Sequence, residues 1–193
     1  MKQLVFASNN PHKLSEIRRI VGARFEILSL ADIGCHDDIP ETADTLEGNA
    51  LIKARWVKER YGYDCFADDT GLMVDALDGA PGVMTARFAG EHCTPADNVA
   101  LLLRKLQGNP LRTARFSTVI ALIKDGREQV MTGTVVGEIA TEERGTDGFG
   151  YDPIFIPEGT GKTFAEMGPD AKNEISHRGR ATAKLLQVLN AEK

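Results

Sequence analysis

A chain of 193 residues, 42% apolar and 26% charged, is long enough to bury a core and has the balance of a globular protein, either one domain or one domain with two lobes. Its net charge of −5 excludes the broad basic face needed to wrap a nucleic-acid backbone, but leaves room for a nucleotide, which needs only a few local cations and a metal. No apolar run approaches the roughly 18 residues that span a bilayer, and the run after Met1 meets Asn9-Asn10-Pro11 too soon for a signal peptide. A cytoplasmic protein is expected, with a small-molecule nucleotide as partner and neither nucleic acid nor membrane.

The elements follow in chain order. Residues 2–7 read as a buried strand, followed by the polar Ser8-Asn9-Asn10. From Pro11 the pattern is helical, with Leu14, Ile17, Ile20 and Val21 at spacings of three and four. Asn10 suits the N-cap and Pro11 the first helical position, where a missing N–H costs nothing. Phe25 to Leu28 is a second strand, Asp32 to Asp44 is acidic and irregular, and a helix is expected over Thr45 to Tyr61. Cys65-Phe66-Ala67 reads as a short strand ending in Asp68-Asp69-Thr70-Gly71, and Gly79-Ala80-Pro81-Gly82 as a turn. Pro95 to Leu106 is an amphipathic helix. Arg115 to Ile123 and Glu128 to Ile139 form a hairpin about Asp125-Gly126. The glycine-rich loop from Gly145 to Asp152 leads into a strand over residues 154–156. A polar, mobile stretch is expected to Asn173, and a closing helix from Ser176. The mixture predicts an α/β fold with a mixed sheet.

Cys35, Cys65 and Cys93 are odd in number and widely spaced, and the histidines form no ligand pattern. Reduced thiols are therefore expected, rather than a disulfide framework or a zinc site. Gly159-Thr160-Gly161-Lys162-Thr163 has the end of a P-loop, but Ile156 stands where the first glycine is required and no clear apolar helix follows. It is not read as one.

Four segments could carry chemistry. Ser8-Asn9-Asn10-Pro11-His12-Lys13 opens a helix, whose free N–H groups, dipole and lysine suit a phosphate; a well-capped helix start would look the same. Asp68-Asp69 at a strand end invites a cation, and all-oxygen ligands favour magnesium; a solvated acidic turn is the plainer reading. Glu41 is a possible second ligand, with nothing local to rank it above Asp37, Asp38 or Asp44. Gly148-Phe149-Gly150-Tyr151-Asp152-Pro153 offers aromatic faces to a flat ligand, unless both rings are tucked into the core. Ser176-His177-Arg178 opens the last helix with donors suited to a carbonyl-bearing base edge.

Taken in order, these segments resemble the family of inosine/xanthosine triphosphate pyrophosphatases over nearly the whole chain. The likeness also includes Asn49-Ala50, Lys53-Ala54 and Gly79-Ala80-Pro81-Gly82. The resemblance implies one two-lobed nucleotide pyrophosphatase domain over 1–193, with a mixed central sheet flanked by helices and the active-site cleft between the lobes. It implies Mg2+-dependent cleavage of ITP, dITP and XTP to the nucleoside monophosphate and pyrophosphate, by a homodimer. On the same basis Asp69 is the general base, Glu41 and Asp69 hold the metal, and Ser8, Asn9, Asn10, Pro11, His12, Lys13 and Lys53 hold the triphosphate. Thr70 lies in the substrate-binding turn, and Phe149, Gly150, Tyr151, Asp152, Lys172, His177 and Arg178 hold the base. His12 stands where the family often has glycine.

Overall fold

The computed structural model describes residues 2–191. Its strands are β1 (Lys2–Phe6), β2 (Phe25–Leu28), β3 (Cys65–Val74), β4 (Thr113–Lys124), β5 (Arg127–Ile139) and β6 (Phe155–Pro157), in one sheet of order β2-β1-β3-β4-β5-β6. Strand β1 runs parallel to β2 and β3, and β6 antiparallel to β5, so the sheet is mixed, as expected. Helices α1 (Pro11–Val21), α2 (Leu46–Tyr61), α3 (Pro95–Lys105), α4 (Pro169–Ile175) and α5 (His177–Ala191) flank it. No helix among the described residues is long and apolar enough to cross a membrane.

The chain divides into two compact units, one of residues 2–69, 118–133 and 177–191, the other of residues 70–117 and 134–176. In the first, β1 is buried on both faces. Leu4 and Phe6 pack with Ile17 and Leu185, while Val5 and Ala7 pack with Ala50, Ala54 and Val57, the alternation a pleated strand imposes. Phe6 stacks on Phe66 with ring centroids 4.7 Å apart. Gly133 lets α5 lie close to β5, because a Cβ there would sit 2.2 Å from the His177 carbonyl oxygen. In the second unit, Val99, Leu102 and Leu106 pack into a core with Phe116, Tyr151, Phe155 and Phe164. A capping box starts α3: Thr94 accepts from the Asp97 N–H and Asp97 from that of Thr94.

Two expectations about local structure are overturned. Strand β3 does not stop before the acidic pair but runs ten residues through Asp68-Asp69-Thr70-Gly71-Leu72. Both carboxylates are buried, so the solvated-turn reading falls too. The cations described below offset their charge, which lets them stay in a buried strand. The stretch read as polar and mobile holds a 3₁₀ turn (Phe164–Glu166) and α4, with Phe164, Ala165 and Lys172 buried. Its start signals were there to be read: Thr163 and Glu166 form a capping box, and Pro169 opens α4. Gly159 to Lys162 is a turn in which the Thr160 hydroxyl binds the Pro157 carbonyl, with no α-helix following directly, so the P-loop stays rejected. Cys35 and Cys65 are buried free thiols, and Cys93 is a half-buried one.

Candidate active site

In the first unit the predicted phosphate loop is closed by its own side chains. Asn10 Oδ1 accepts the N–H groups of His12 and Lys13 at 3.0 and 3.1 Å, and the Leu14 N–H goes to the Asn10 carbonyl. Pro11 has no N–H, so the donors that a helix start usually offers to a phosphate are taken here. Asn9 Oδ1 holds the Ala31 N–H at 2.8 Å, and Ser8 Oγ accepts from the Asn10 N–H at 3.1 Å. Asn9, Asn10, Pro11 and His12 are exposed, and Ser8 and Lys13 half-buried. Charge for an anion must therefore come from side chains.

Those side chains form a chain of alternating charge. Lys13 Nζ lies 2.9 Å from Asp68 Oδ1. Asp68 Oδ2 accepts from Arg178 Nε and Nη2 at 3.3 and 3.1 Å, and Arg178 Nη1 reaches Glu16 Oε2 at 2.6 Å. Burial pushes the Asp68 carboxyl up, but Lys13, Arg178 and Lys53 together outweigh it and hold it well below the carboxylate range. Burial likewise lowers Lys13, against the pull of Asp68. Arg178, expected to face a base, is wholly buried between two carboxylates, with His177 buried beside it in the first turn of α5.

Next to this chain, Lys53 Nζ donates to Glu41 Oε1 at 2.8 Å, to the Asp68 carbonyl at 2.5 Å and to Asp69 Oδ1 at 3.3 Å. Asn49 fastens the acidic loop to Asp69: its Oδ1 accepts from the Ala43 N–H at 2.9 Å, and its Nδ2 donates to Asp69 Oδ2 at 3.3 Å. Burial raises the Asp69 carboxyl above its ordinary value and the Glu41 charge adds to this, while Lys53 opposes it. The ambiguity among the acidic residues is thereby narrowed: Glu41 stands with Asp69 through a shared ammonium, and Asp68 is turned to Lys13 and Arg178. Among the described residues no group of three or more His, Cys, Asp and Glu side chains gathers into a metal cage. The two carboxylates that share Lys53 are hard oxygen donors, and they fit Mg2+, which takes one or two carboxylates and lets substrate phosphates complete its shell.

In the second unit the base-loop residues centre on another buried pair. Lys172 Nζ lies 2.7 Å from Asp152 Oδ2, each side chain 4% exposed, and the same oxygen accepts from the Phe149 N–H at 2.9 Å. Lys172 Nζ also sits 4.9 Å from the centre of the Phe149 ring. Gly148 is at φ +76°, and a Cβ there would meet the Asp152 carboxylate at 2.1 Å. The two aromatics separate: Phe149 is half-buried, whereas Tyr151 is in the core, its hydroxyl donating to the Thr85 carbonyl at 2.7 Å. Gly150 and Thr70 are half-buried. Glu16 and Thr85 were missed as site-supporting residues, and Asn49 was quoted in the family likeness without a role. Glu16 left a usable signal, one helical turn after Lys13.

The chain is similar to known proteins over nearly its whole length. A profile of the Ham1 family matches residues 4–188. The dITP/XTP pyrophosphatase of Flavobacterium johnsoniae is 54% identical, covering 99% of this chain and 100% of its own length. That of Porphyromonas gingivalis is 57% identical, covering 98% of each. The solved structure of the Staphylococcus aureus Ham1 protein superposes with a TM-score of 0.90 at 38% identity, covering 100% of both chains. The chain belongs to the Ham1 family.

Proposed function

We propose that this protein hydrolyses non-standard purine nucleoside triphosphates (ITP, dITP and XTP) to the monophosphate and pyrophosphate, clearing them from the nucleotide pool. The reading rests above all on Asp69: a buried carboxylate of raised basicity beside Glu41 and Lys53, in a chain whose relatives carry the name dITP/XTP pyrophosphatase. In this reading the protein is one nucleotide pyrophosphatase domain, working as a cytoplasmic homodimer.

Asp69 takes a proton from the attacking water, whose oxygen bonds to the α-phosphorus as the bond from that phosphorus to the bridging oxygen breaks. Pyrophosphate leaves with the bridging oxygen. Glu41 and Asp69 would hold Mg2+, which when bound offsets charge on the phosphates and on the leaving group. Lys13 and Lys53 add fixed positive charge, and Ser8 to His12 shape the loop that receives the triphosphate. Thr70, next to Asp69 in β3, contacts the substrate.

The base is held by the other set of residues. Phe149 offers a ring face, Gly150 and Tyr151 set the loop, and Lys172, steadied by Asp152, supplies a donor. That ammonium and the loop N–H groups are donors that a purine 6-carbonyl accepts and an adenine amino group does not, while Arg178, committed to Asp68 and Glu16, steadies the carboxylate side. Each buried donor left facing a donor costs about 1–3 kcal/mol, so two or three would reject ATP. GTP shares the carbonyl, so its rejection turns on the 2-amino group.

The test is pyrophosphate and orthophosphate release from ITP, XTP, dITP, ATP, GTP and dTTP, with Mg2+ and with a chelator. Magnesium-dependent pyrophosphate from the first three alone is expected. Orthophosphate as product, or a preference for dTTP, would overturn the proposal.

A further inference from the structure

The turn Gly79-Ala80-Pro81-Gly82 has no place in the chemistry above, yet it delivers a residue that touches two segments that do. Met73 pairs with Pro81 in an antiparallel bridge, and the Val74 N–H reaches the Ala80 carbonyl at 3.0 Å. The chain then enters a 3₁₀ turn (Gly82–Arg87), which buries Thr85. The Thr85 hydroxyl donates to the Gly82 carbonyl at 2.5 Å and accepts from the Leu72 N–H at 2.9 Å. Its carbonyl accepts the buried Tyr151 hydroxyl at 2.7 Å. Beyond it, Asn98 of α3 fastens the segment again, donating to the Ala86 carbonyl at 3.1 Å and accepting from the Ala89 N–H at 2.8 Å.

Thr85 therefore bonds to β3 two residues past Thr70, and to the base loop at Tyr151, between Gly150 and Asp152. We infer that Thr85 is a positioning residue, which fixes the Thr70 segment of β3 against the base-holding loop 149–152 and so sets discrimination at the purine ring. The inference rests on the function proposed above. Thr85 touches no substrate in this account; it acts through Leu72 and Tyr151. A loop that must place a donor against a 6-carbonyl loses selectivity when it moves by a fraction of an ångström, and a displacement of about 1 Å can cost on the order of a hundredfold.

Three variants separate positioning from simple stability. Thr85→Val keeps the shape and removes both hydroxyl bonds, Thr85→Ser keeps those bonds, and Tyr151→Phe removes only the bond to the Thr85 carbonyl. Thr85→Val is expected to raise KM for ITP about tenfold and to lower the ITP-over-ATP ratio of kcat/KM by a similar factor, with kcat changed less. Tyr151→Phe should move the same quantities about threefold and Thr85→Ser hardly at all. Amide hydrogen exchange in residues 149–152, measured on the same proteins, should quicken in Thr85→Val and Tyr151→Phe but not in Thr85→Ser. Unchanged exchange in Tyr151→Phe overturns the inference, as does KM and discrimination within twofold of wild type whatever the melting temperature. If Thr85→Val fails to fold, Tyr151→Phe decides. Wild-type protein that releases no pyrophosphate from ITP defeats the proposed function alone, and the exchange measurement still judges the role of Thr85.

Discussion

The two units carry the same kind of buried pair, a lysine against an aspartate, and use it differently. In the second unit Lys172 meets Asp152, which also takes the Phe149 N–H, and the surroundings are aromatic. In the first unit Lys13, Lys53 and Arg178 are shared among Glu16, Glu41, Asp68 and Asp69. Shared among several carboxylates, these cations leave the hard oxygen donors of Glu41 and Asp69 side by side, an arrangement that suits a divalent cation. A fully buried pair gives a fixed shape, which suits a neutral ring. A network that pools several carboxylates and cations can take up a metal and then an anion.

The strongest way to break this comparison is Asp69→Asn. If the network exists for chemistry, losing one basic oxygen should cut pyrophosphate release from ITP by about 10²–10⁴-fold. The melting temperature should change little, since the amide occupies the same volume and removes a charge from an acid-rich cluster. Near-normal turnover would remove Asp69 as the base and leave the network a structural device.

Stability should rank the two units next. Arg178→Ala takes the cation from Asp68 and Glu16 together, both buried or nearly so, and is expected to cost about 3–5 kcal/mol in urea unfolding. Lys172→Met takes the ammonium from one carboxylate, which keeps the Phe149 N–H; it should cost about 1.5–3 kcal/mol. Equal losses would mean that the sharing of cations in the first unit has no energetic consequence. Turnover of ITP by the surviving Arg178→Ala protein should fall by more than its folded fraction explains.

What was legible in the sequence follows from how local each cause was. The start of α1 could be read from Asn10 and Pro11, because capping acts within four residues. The amphipathic helix α3 could be read from its spacing and the hairpin from its turn. The continuation of β3 through Asp68-Asp69 could not: two adjacent carboxylates argue for a turn until their partners are known. Those partners come from far away, Lys13 from α1, Lys53 from α2 and Arg178 from α5. Glu16 and Arg178 are 162 positions apart, so no window of sequence contains their pairing. Tyr151 misled for the opposite reason. Its neighbours made it look like a ligand face, while its hydroxyl was committed to a carbonyl 66 positions earlier.

The smallest expected effect concerns the ion pair with the best geometry. Arg55 holds Glu128 through both guanidinium edges, at 2.7 Å from Nε and 2.7 Å from Nη2, shorter and more regular than the bonds of Arg178 to Asp68. On geometry alone it would rank first. Its side chains are 49% and 40% exposed, however, so water already solvates both charges and salt screens their attraction. Glu128→Gln is expected to cost about 0.2–1 kcal/mol, to lose that effect in high salt and to leave ITP turnover untouched. The measurement is urea unfolding of wild type and variant at low and high ionic strength. A loss as large as that of Arg178→Ala would mean that bond geometry, not burial, sets the worth of ion pairs in this protein, and would remove the ground on which the buried network was singled out.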